Sequence, residues 1–180
     1  TIAAFYSSPV RPIRAPLTSI KGCHAGIVVV SSSPRIRGNS ITHSNFTGME
    51  FSGECHGDCT RNTIAYCGKP GGEPYPHGGV WMWSEDARPT FNASELPPEA
   101  NSFYGNYTCD IGMEPLGNVP EVYAVANYWG CKCPDFSQRL IGPVCVAPWV
   151  DSTCTRFIKP PECRGAVEPT TWGRIKALFE

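Results

Sequence analysis

The chain has 180 residues, 15 Lys plus Arg against 16 Asp plus Glu, and a formal net charge of −1. Such a balance gives no electrostatic reason to expect nucleic acid or an acidic membrane as partner, and no run of about 18 apolar residues offers a membrane span. Gly 18 and Pro 18 suit one domain of many short strands and corners, and argue against a helical bundle.

Residues 1–22 are the least legible part. Pro9, Pro12 and Pro16 exclude a regular helix, so the segment is expected to be an irregular first coil or a cap. Residues 23–68 are far more regular. Gly26-Ile27-Val28-Val29 recurs as Gly48-Met49-Glu50-Phe51 after 22 residues, and Gly38-Asn39-Ser40-Ile41 recurs as Arg61-Asn62-Thr63-Ile64 after 23. Each unit contains short alternating apolar runs split by Gly, Asn, Ser and Pro. Runs of that length make no stable sheet alone, and a period of this kind points to stacked coils. Because side chains alternate across a strand, Ile27 and Val29 are expected to point inward, with Met49, Phe51, Val80 and Met82, while Ile36, Ile41, Ile64 and Phe103 fill other inward positions. Asn39, Asn62 and Asn101 precede similar strand starts: Asn-Ser-Ile, Asn-Thr-Ile and Asn-Ser-Phe. The expectation is one corner per coil and an amide ladder between coils.

Residues 69–78, Lys69 to Gly78, interrupt the period with about nine additional residues, and solenoids place such insertions outside. Residues 79–107 read as another coil with a long polar corner around Glu85 to Glu99. Residues 108–150 carry a last coil, with one helical turn expected somewhere in Phe136 to Ile141. Residues 151–180 are a Cys- and Pro-rich extension that closes on Thr171 to Phe179, a short helix with Thr171 as its N-cap.

The repeat, Gly-Ile-x-Val followed by Ser-Ser-Pro-x-Ile-x-Gly-Asn-x-Ile, resembles the right-handed parallel β-helix proteins of the pectin-lyase-like superfamily. Downstream, Ala126-Asn127-Tyr128-Trp129-Gly130, Pro134-Asp135-Phe136, Ile141-Gly142-Pro143-Val144 and Pro148-Trp149-Val150 resemble the segment that closes many such helices. The resemblance covers residues 23–151. It implies an all-β fold, a short right-handed parallel β-helix with a Cys/Pro-rich C-terminal extension, and it is nearly silent on function.

Ten cysteines suggest export and disulfides. The candidates are Cys23, Cys55, Cys59, Cys67, Cys109, Cys131, Cys133, Cys145, Cys154 and Cys163. Local staples are expected near Cys55, Cys59 and Cys67 and between Cys131 and Cys163. Zinc held by Cys55, Cys59, His56 and His24 is a weaker alternative, since structural zinc favours two close ligand pairs; no metal and no cofactor are assigned. Asn45, Asn92 and Asn106 head glycosylation sequons. Trp81 and Trp83 are expected to face outward together, where with Tyr75 they would stack on sugar rings or lie beneath the 69–78 loop.

Hydrolysis of a polysaccharide needs two carboxylates at fixed separation. Lyases of the resembled superfamily use a Lys or Arg base, often with calcium held by acidic residues. The outward acids Glu50, Asp58, Glu85 and Asp86 form no evident paired column, so no catalytic residue is assigned. The reading is a secreted, extracellular or cell-surface protein, structural or binding rather than catalytic. A polysaccharide lyase or glycoside hydrolase is the alternative. Self-association or another extracellular chain is the expected partner, through an N-terminal end without a recognisable cap and an apolar stripe of Trp172, Ile175, Leu178 and Phe179.

Overall fold

The computed structural model describes the backbone of residues 3–5 and residues 18–70, 78–114 and 121–158. Each short alternating run of the sequence becomes one strand, and each cluster of Gly, Asn, Ser or Pro becomes a corner that sends the chain to the next sheet. Strands β1 (Ala3–Phe5) and β2 (Ser19–Lys21) come first. The next coil is β3 (Ala25–Val30), β4 (Arg35–Arg37) and β5 (Ser40–Thr42). It is followed by β6 (Thr47–Ser52), β7 (Asp58–Thr60) and β8 (Thr63–Ala65). A further coil has β9 (Val80–Met82), β10 (Thr90–Phe91) and β11 (Ser102–Tyr104). The stack ends with β12 (Ile111–Met113), β13 (Val122–Tyr123), β14 (Leu140–Ile141) and β15 (Val144–Cys145). A hairpin of β16 (Trp149–Val150) and β17 (Phe157–Ile158) closes the described chain.

These strands form three stacked parallel sheets. The first has the order β1-β3-β6-β9-β12-β14, the second β15-β13-β10-β7-β4, and the third β11-β8-β5-β2; among the described residues only the β16–β17 pair is antiparallel. The fold is all-β, as the sequence implies. Register puts like on like. Ile27, Met49, Val80, Ile111 and Leu140 form one inward column of the first sheet, and Ile20, Ile41, Ile64 and Phe103 one of the third. Every inward position named from the sequence, from Ile27 through Phe103, is buried. Each such side chain contributes roughly 1.5–3 kcal/mol by leaving water, which no single coil collects alone.

The recurring Gly that opens each first-sheet strand has a steric cause. A Cβ at Gly48 would lie 2.6 Å from the Ile64 Cγ2 atom and 2.6 Å from the Gly79 carbonyl, and one at Gly26 would strike Ile41 and the Gly48 carbonyl. The corner from third sheet to first is too tight for a side chain there. The corner from second sheet to third is held by amides. Asn39, Asn62 and Asn101 stack as expected, and Asn127 extends the column by one rung. Each backbone N–H and each Nδ2 donates to the Oδ1 of the next asparagine: Nδ2 to Oδ1 is 3.0 Å from Asn39 to Asn62, from Asn62 to Asn101 and from Asn101 to Asn127, and the backbone N–H groups follow at 2.9, 3.0 and 2.7 Å. The second Nδ2 hydrogen of Asn62, Asn101 and Asn127 reaches the carbonyl of Ile36, Cys59 and Phe91. Asn127 was assigned by sequence only to the closing segment, yet Asn127-Tyr128-Trp129 carries the same Asn-x-apolar offset.

At the C-terminal end the core is filled by rings. Phe51, Phe91, Phe103, Trp129, Phe136 and Trp149 touch in succession with centroids 4.9–6.2 Å apart, distances suited to edge-to-face and offset-stacked pairs. The expected helical turn is a 3-10 turn at Phe136–Gln138, capped by Asp135, whose carboxylate accepts from the Ser137 N–H. Leu140–Ile141, assigned to the same turn by sequence, is instead strand β14. The helix expected over 171–179, and with it the apolar stripe from Trp172 to Phe179, lies outside the described residues, as do Tyr75 and Cys163.

Candidate functional site: an outer aromatic surface

Two columns of rings run along the outside of the stack. The first grows from the left-handed corner that follows each third-sheet strand. Gly22, His43, Tyr66 and Gly105 occupy equivalent places there, with φ of 68°, 57°, 55° and 64°. Glycine takes that conformation at no steric cost, whereas other residues give up about 1–2 kcal/mol. The chain nevertheless places His43 and Tyr66 in the middle of the column. Their rings lie 5.3 Å apart, and Tyr66 meets Tyr104 edge-on at 5.4 Å. Gly105 makes this possible, because a Cβ there would fall 2.5 Å from the Tyr66 ring. Tyr66 is 48% exposed and Tyr107, two residues beyond Gly105, is 55% exposed. Alongside, the outer face of the third sheet is a hydroxyl ladder of Ser19, Ser40, Thr63 and Ser102 in register.

The second column is formed by His24, Phe46 and Trp83. His24 and Phe46 are stacked at 4.9 Å and 12°, and Phe46 and Trp83 at 6.4 Å and 8°. Trp83 in turn meets Trp81 at 6.2 Å, edge to face. The two tryptophans therefore differ in role. Trp83 is partly exposed, but Trp81 is 1% exposed, and its indole N–H has no hydrogen-bond partner. Trp81 lies across Gly112 on the neighbouring strand, where any Cβ would collide with the ring. Of the two alternatives for these indoles, Trp81 is covered and Trp83 is partly exposed, while most of the 69–78 loop lies outside the described residues.

The four acidic residues named from the sequence stand apart from one another. Glu50 stands on the first sheet beside Trp81 in register and accepts from the Thr47 hydroxyl. Asp58 stands on the second sheet, opposite Arg35 at 4.0 Å and Thr90 at 3.4 Å. Glu85 and Asp86 are exposed at the corner after the first sheet. Among the described residues no three His, Cys, Asp or Glu side chains gather as a metal site; His56 instead faces Glu54 at 3.6 Å. The buried ion pair that does exist was not foreseen. Asp110, 2% exposed, pairs with Arg139 and accepts from Asn106 Nδ2 at 2.7 Å. It occupies the column of Gly26, Gly48 and Gly79 one rung further on. Burial pushes its carboxyl up, and the Arg139 guanidinium opposes that shift. Arg139 also donates to the Trp129 and Phe103 carbonyls, so the pair ties the closing segment to the stack.

The cysteines divide in two. Cys133 is disulfide-bonded, whereas Cys55, Cys59, Cys67, Cys109, Cys131, Cys145 and Cys154 are free thiols. Seven of the ten candidate cysteines are thus unpaired in this structure. Five of them are buried and serve as small apolar fillers: Cys59 stacks between Ile36 and Phe91, and Cys55 bridges to Ala87. Burial pushes the Cys59 and Cys67 thiols up and raises Cys109 to about 12, with the neighbouring Asp58 and Asp110 carboxylates adding to the shift at Cys59 and Cys109. Such thiols are poor nucleophiles. Two of the sequons are structural as well. Asn92 is fully buried, and its Nδ2 donates to the Leu96 and Ala126 carbonyls, both at 3.0 Å. Asn106 Nδ2 is used by the Ile64 carbonyl and Asp110. Asn45 alone of the three is exposed. No protein family, curated protein or solved structure matches the chain.

Proposed function

We propose that the protein is a secreted, non-catalytic binding protein, built as a parallel β-helix of the pectin-lyase-like kind, that holds a polysaccharide chain against its outer aromatic surface. One observation carries the reading: His43 and Tyr66 occupy a left-handed column in which glycine is the unstrained residue, and their rings stand outside the core. A strained residue whose side chain faces outward motivates a functional reading. Spaced rings beside a ladder of hydroxyls suit sugar rings, whose faces are apolar and whose edges donate and accept hydrogen bonds. A protein partner would instead favour a contiguous apolar patch. The near-neutral net charge favours a neutral polymer over a polyanion. A disulfide at Cys133 supports an oxidising, extracellular location.

Affinity electrophoresis through gels containing soluble β-glucan, galactomannan or pectin tests this. The expected result is retardation by a neutral polymer that Tyr66→Ala combined with Trp83→Ala abolishes. Unretarded migration in every gel, or retardation that the double variant retains, overturns the proposal. Release of reducing ends or unsaturated products from the retarding polymer would show the enzymatic alternative instead.

A further inference from the structure

The fold treats its three sequons differently. Asn92 is fully buried, and both hydrogens of its Nδ2 are used, by the Leu96 and Ala126 carbonyls. Both hydrogens of Asn106 Nδ2 are used as well, by the Ile64 carbonyl and the Asp110 carboxylate, and its Oδ1 accepts from the Cys67 N–H at 3.0 Å. An amide nitrogen that carries a sugar keeps one hydrogen, so substitution at either position breaks a bond that the corner depends on. Asn45 differs on each count. It is exposed, and among the described residues its side-chain amide makes no hydrogen bond. Its backbone is nonetheless fixed: the Asn45 N–H donates to the Cys23 carbonyl at 2.6 Å, and the Phe46 N–H to the His24 carbonyl at 2.8 Å. Register shows why the side chain stands clear. Lys21 pairs with Thr42 and Ala25 with Thr47, so residues 43–46 make a corner that residues 22–24, one fewer, make on the rung below. An added residue of this kind re-aims a side chain away from the ladder. On the rung above, the Gly68 N–H donates to the Ser44 carbonyl at 2.9 Å, which sets a residue without a side chain beside Asn45.

We infer that Asn45 is the acceptor of an N-linked glycan, and that it is the one sequon of the three whose glycan this fold accommodates. The inference rests on the secretory location proposed above and stands apart from polysaccharide binding, which the gels test separately. The donor is an oligosaccharide carried on a polyprenyl diphosphate. The Asn45 Nδ2 attacks the anomeric carbon of that oligosaccharide, and the bond from this carbon to the diphosphate oxygen breaks. The polyprenyl diphosphate leaves with the electron pair, and the amide gives up one proton to a base of the transferase. The acceptor chain is extended at that moment, so the Thr47 hydroxyl is available to complete the Asn-Phe-Thr sequon. Only on folding is Thr47 buried, with its hydroxyl donating to Glu50. The folded corner then carries the sugar outward, where a bulky and solubilising group belongs. A glycan on Asn92 meets the opposite outcome, because its sugar would have to enter the stack.

The test expresses the full chain in a eukaryotic secretory host and collects both the secreted and the cell-retained pools. Peptide N-glycosidase in heavy-oxygen water marks each asparagine that carried a glycan, and peptide mass spectrometry locates the mark. The expected secreted chain is occupied at Asn45 and bare at Asn92 and Asn106, with any chain modified at those two confined to the retained pool. Asn45→Gln should still be secreted and carry no glycan, whereas Ser94→Ala and Thr108→Ala, which erase the other two sequons, should leave the glycan in place. Stability supplies a readout that does not depend on trafficking: the glycosylated chain should unfold at a midpoint no lower than that of Asn45→Gln. Asn45 bare in both pools, a glycan persisting on secreted Asn45→Gln, or a glycosylated chain that unfolds before Asn45→Gln overturns the inference.

Discussion

Two corners of the same coil solve opposite problems. Between the second and third sheets, Asn39, Asn62, Asn101 and Asn127 repeat one residue type, turn inward, and bond to one another. Between the third and first, Gly22, His43, Tyr66 and Gly105 share a backbone conformation but not a residue type, and the two side chains among them face outward. The first column is fixed by what a buried corner requires. An amide supplies two donors and an acceptor, and the pattern repeats wherever a coil turns. The second is fixed by nothing the fold needs, since glycine would serve at every rung. A column that repeats identically marks architecture, and one that departs from its cheapest residue on the outside marks a surface with another use.

The sharpest way to break this comparison is at the ladder. Asn101→Ala removes the Oδ1 that accepts from the Asn62 N–H and Nδ2, and the Nδ2 that donates to Asn127 and to the Cys59 carbonyl. Four hydrogen bonds at roughly 1 kcal/mol each, with donors left in a dry corner, predict a loss of about 3–5 kcal/mol in denaturant unfolding. Asn39→Ala, at the half-exposed end of the same column, should cost about 1 kcal/mol, because water replaces its partners. Equal losses at both positions would mean that the ladder is not the buried cooperative element described.

A second test concerns the tie between closing segment and stack. The Asp110 carboxyl is raised by burial, so its ionised form is disfavoured on folding despite Arg139. A carboxyl whose folded pKa lies above the unfolded value, about 3.9, contributes stability that is fully present below that value. The contribution is lost as pH rises through the folded pKa. Asp110→Asn lacks this titration. Any deficit of the variant relative to the wild type should therefore shrink as pH rises from about 4 towards 7. Unfolding midpoints measured across that range check the sign. A deficit that widens with pH would show that attraction to Arg139 outweighs burial.

How much of this was legible beforehand follows from range. The Gly-apolar and Asn-x-apolar repeats lie within one coil and recur at the next, so the stacked sheets and three rungs of the ladder could be read from residues 26–64 and 101–103. The fourth rung was hidden because Asn127 sits in a segment whose Tyr128, Trp129 and Pro134 resemble a closure. The burial of Trp81 was left open by the sequence because it depends on another coil: Gly112 has no side chain to displace the ring, and no pattern near Trp81 announces that. Asp110 and Arg139 meet across two rungs without a shared motif. Asn92 and Asn106 match a sequon in composition, while the burial of Asn92 and the Ile64 partner of Asn106 depend on strands elsewhere in the stack.

The smallest expected change in stability is the most telling for function. Tyr66→Gly places glycine at φ of 55°, as at Gly22 and Gly105, relieving strain of about 1–2 kcal/mol. Against this stand the added chain entropy of a glycine, roughly 0.5–1 kcal/mol, and the lost contacts of the ring with His43, Tyr104 and Gly105. For a ring that is 48% exposed, contacts of this kind contribute about 0.5–1.5 kcal/mol. These effects nearly cancel, so the unfolding free energy should stay within about 1 kcal/mol of the wild type. Retention by polysaccharide should nonetheless weaken several-fold, because a sugar face loses its platform. A variant that is clearly destabilised would return Tyr66 to the architecture, and the contrast between the two corners would then be one of degree.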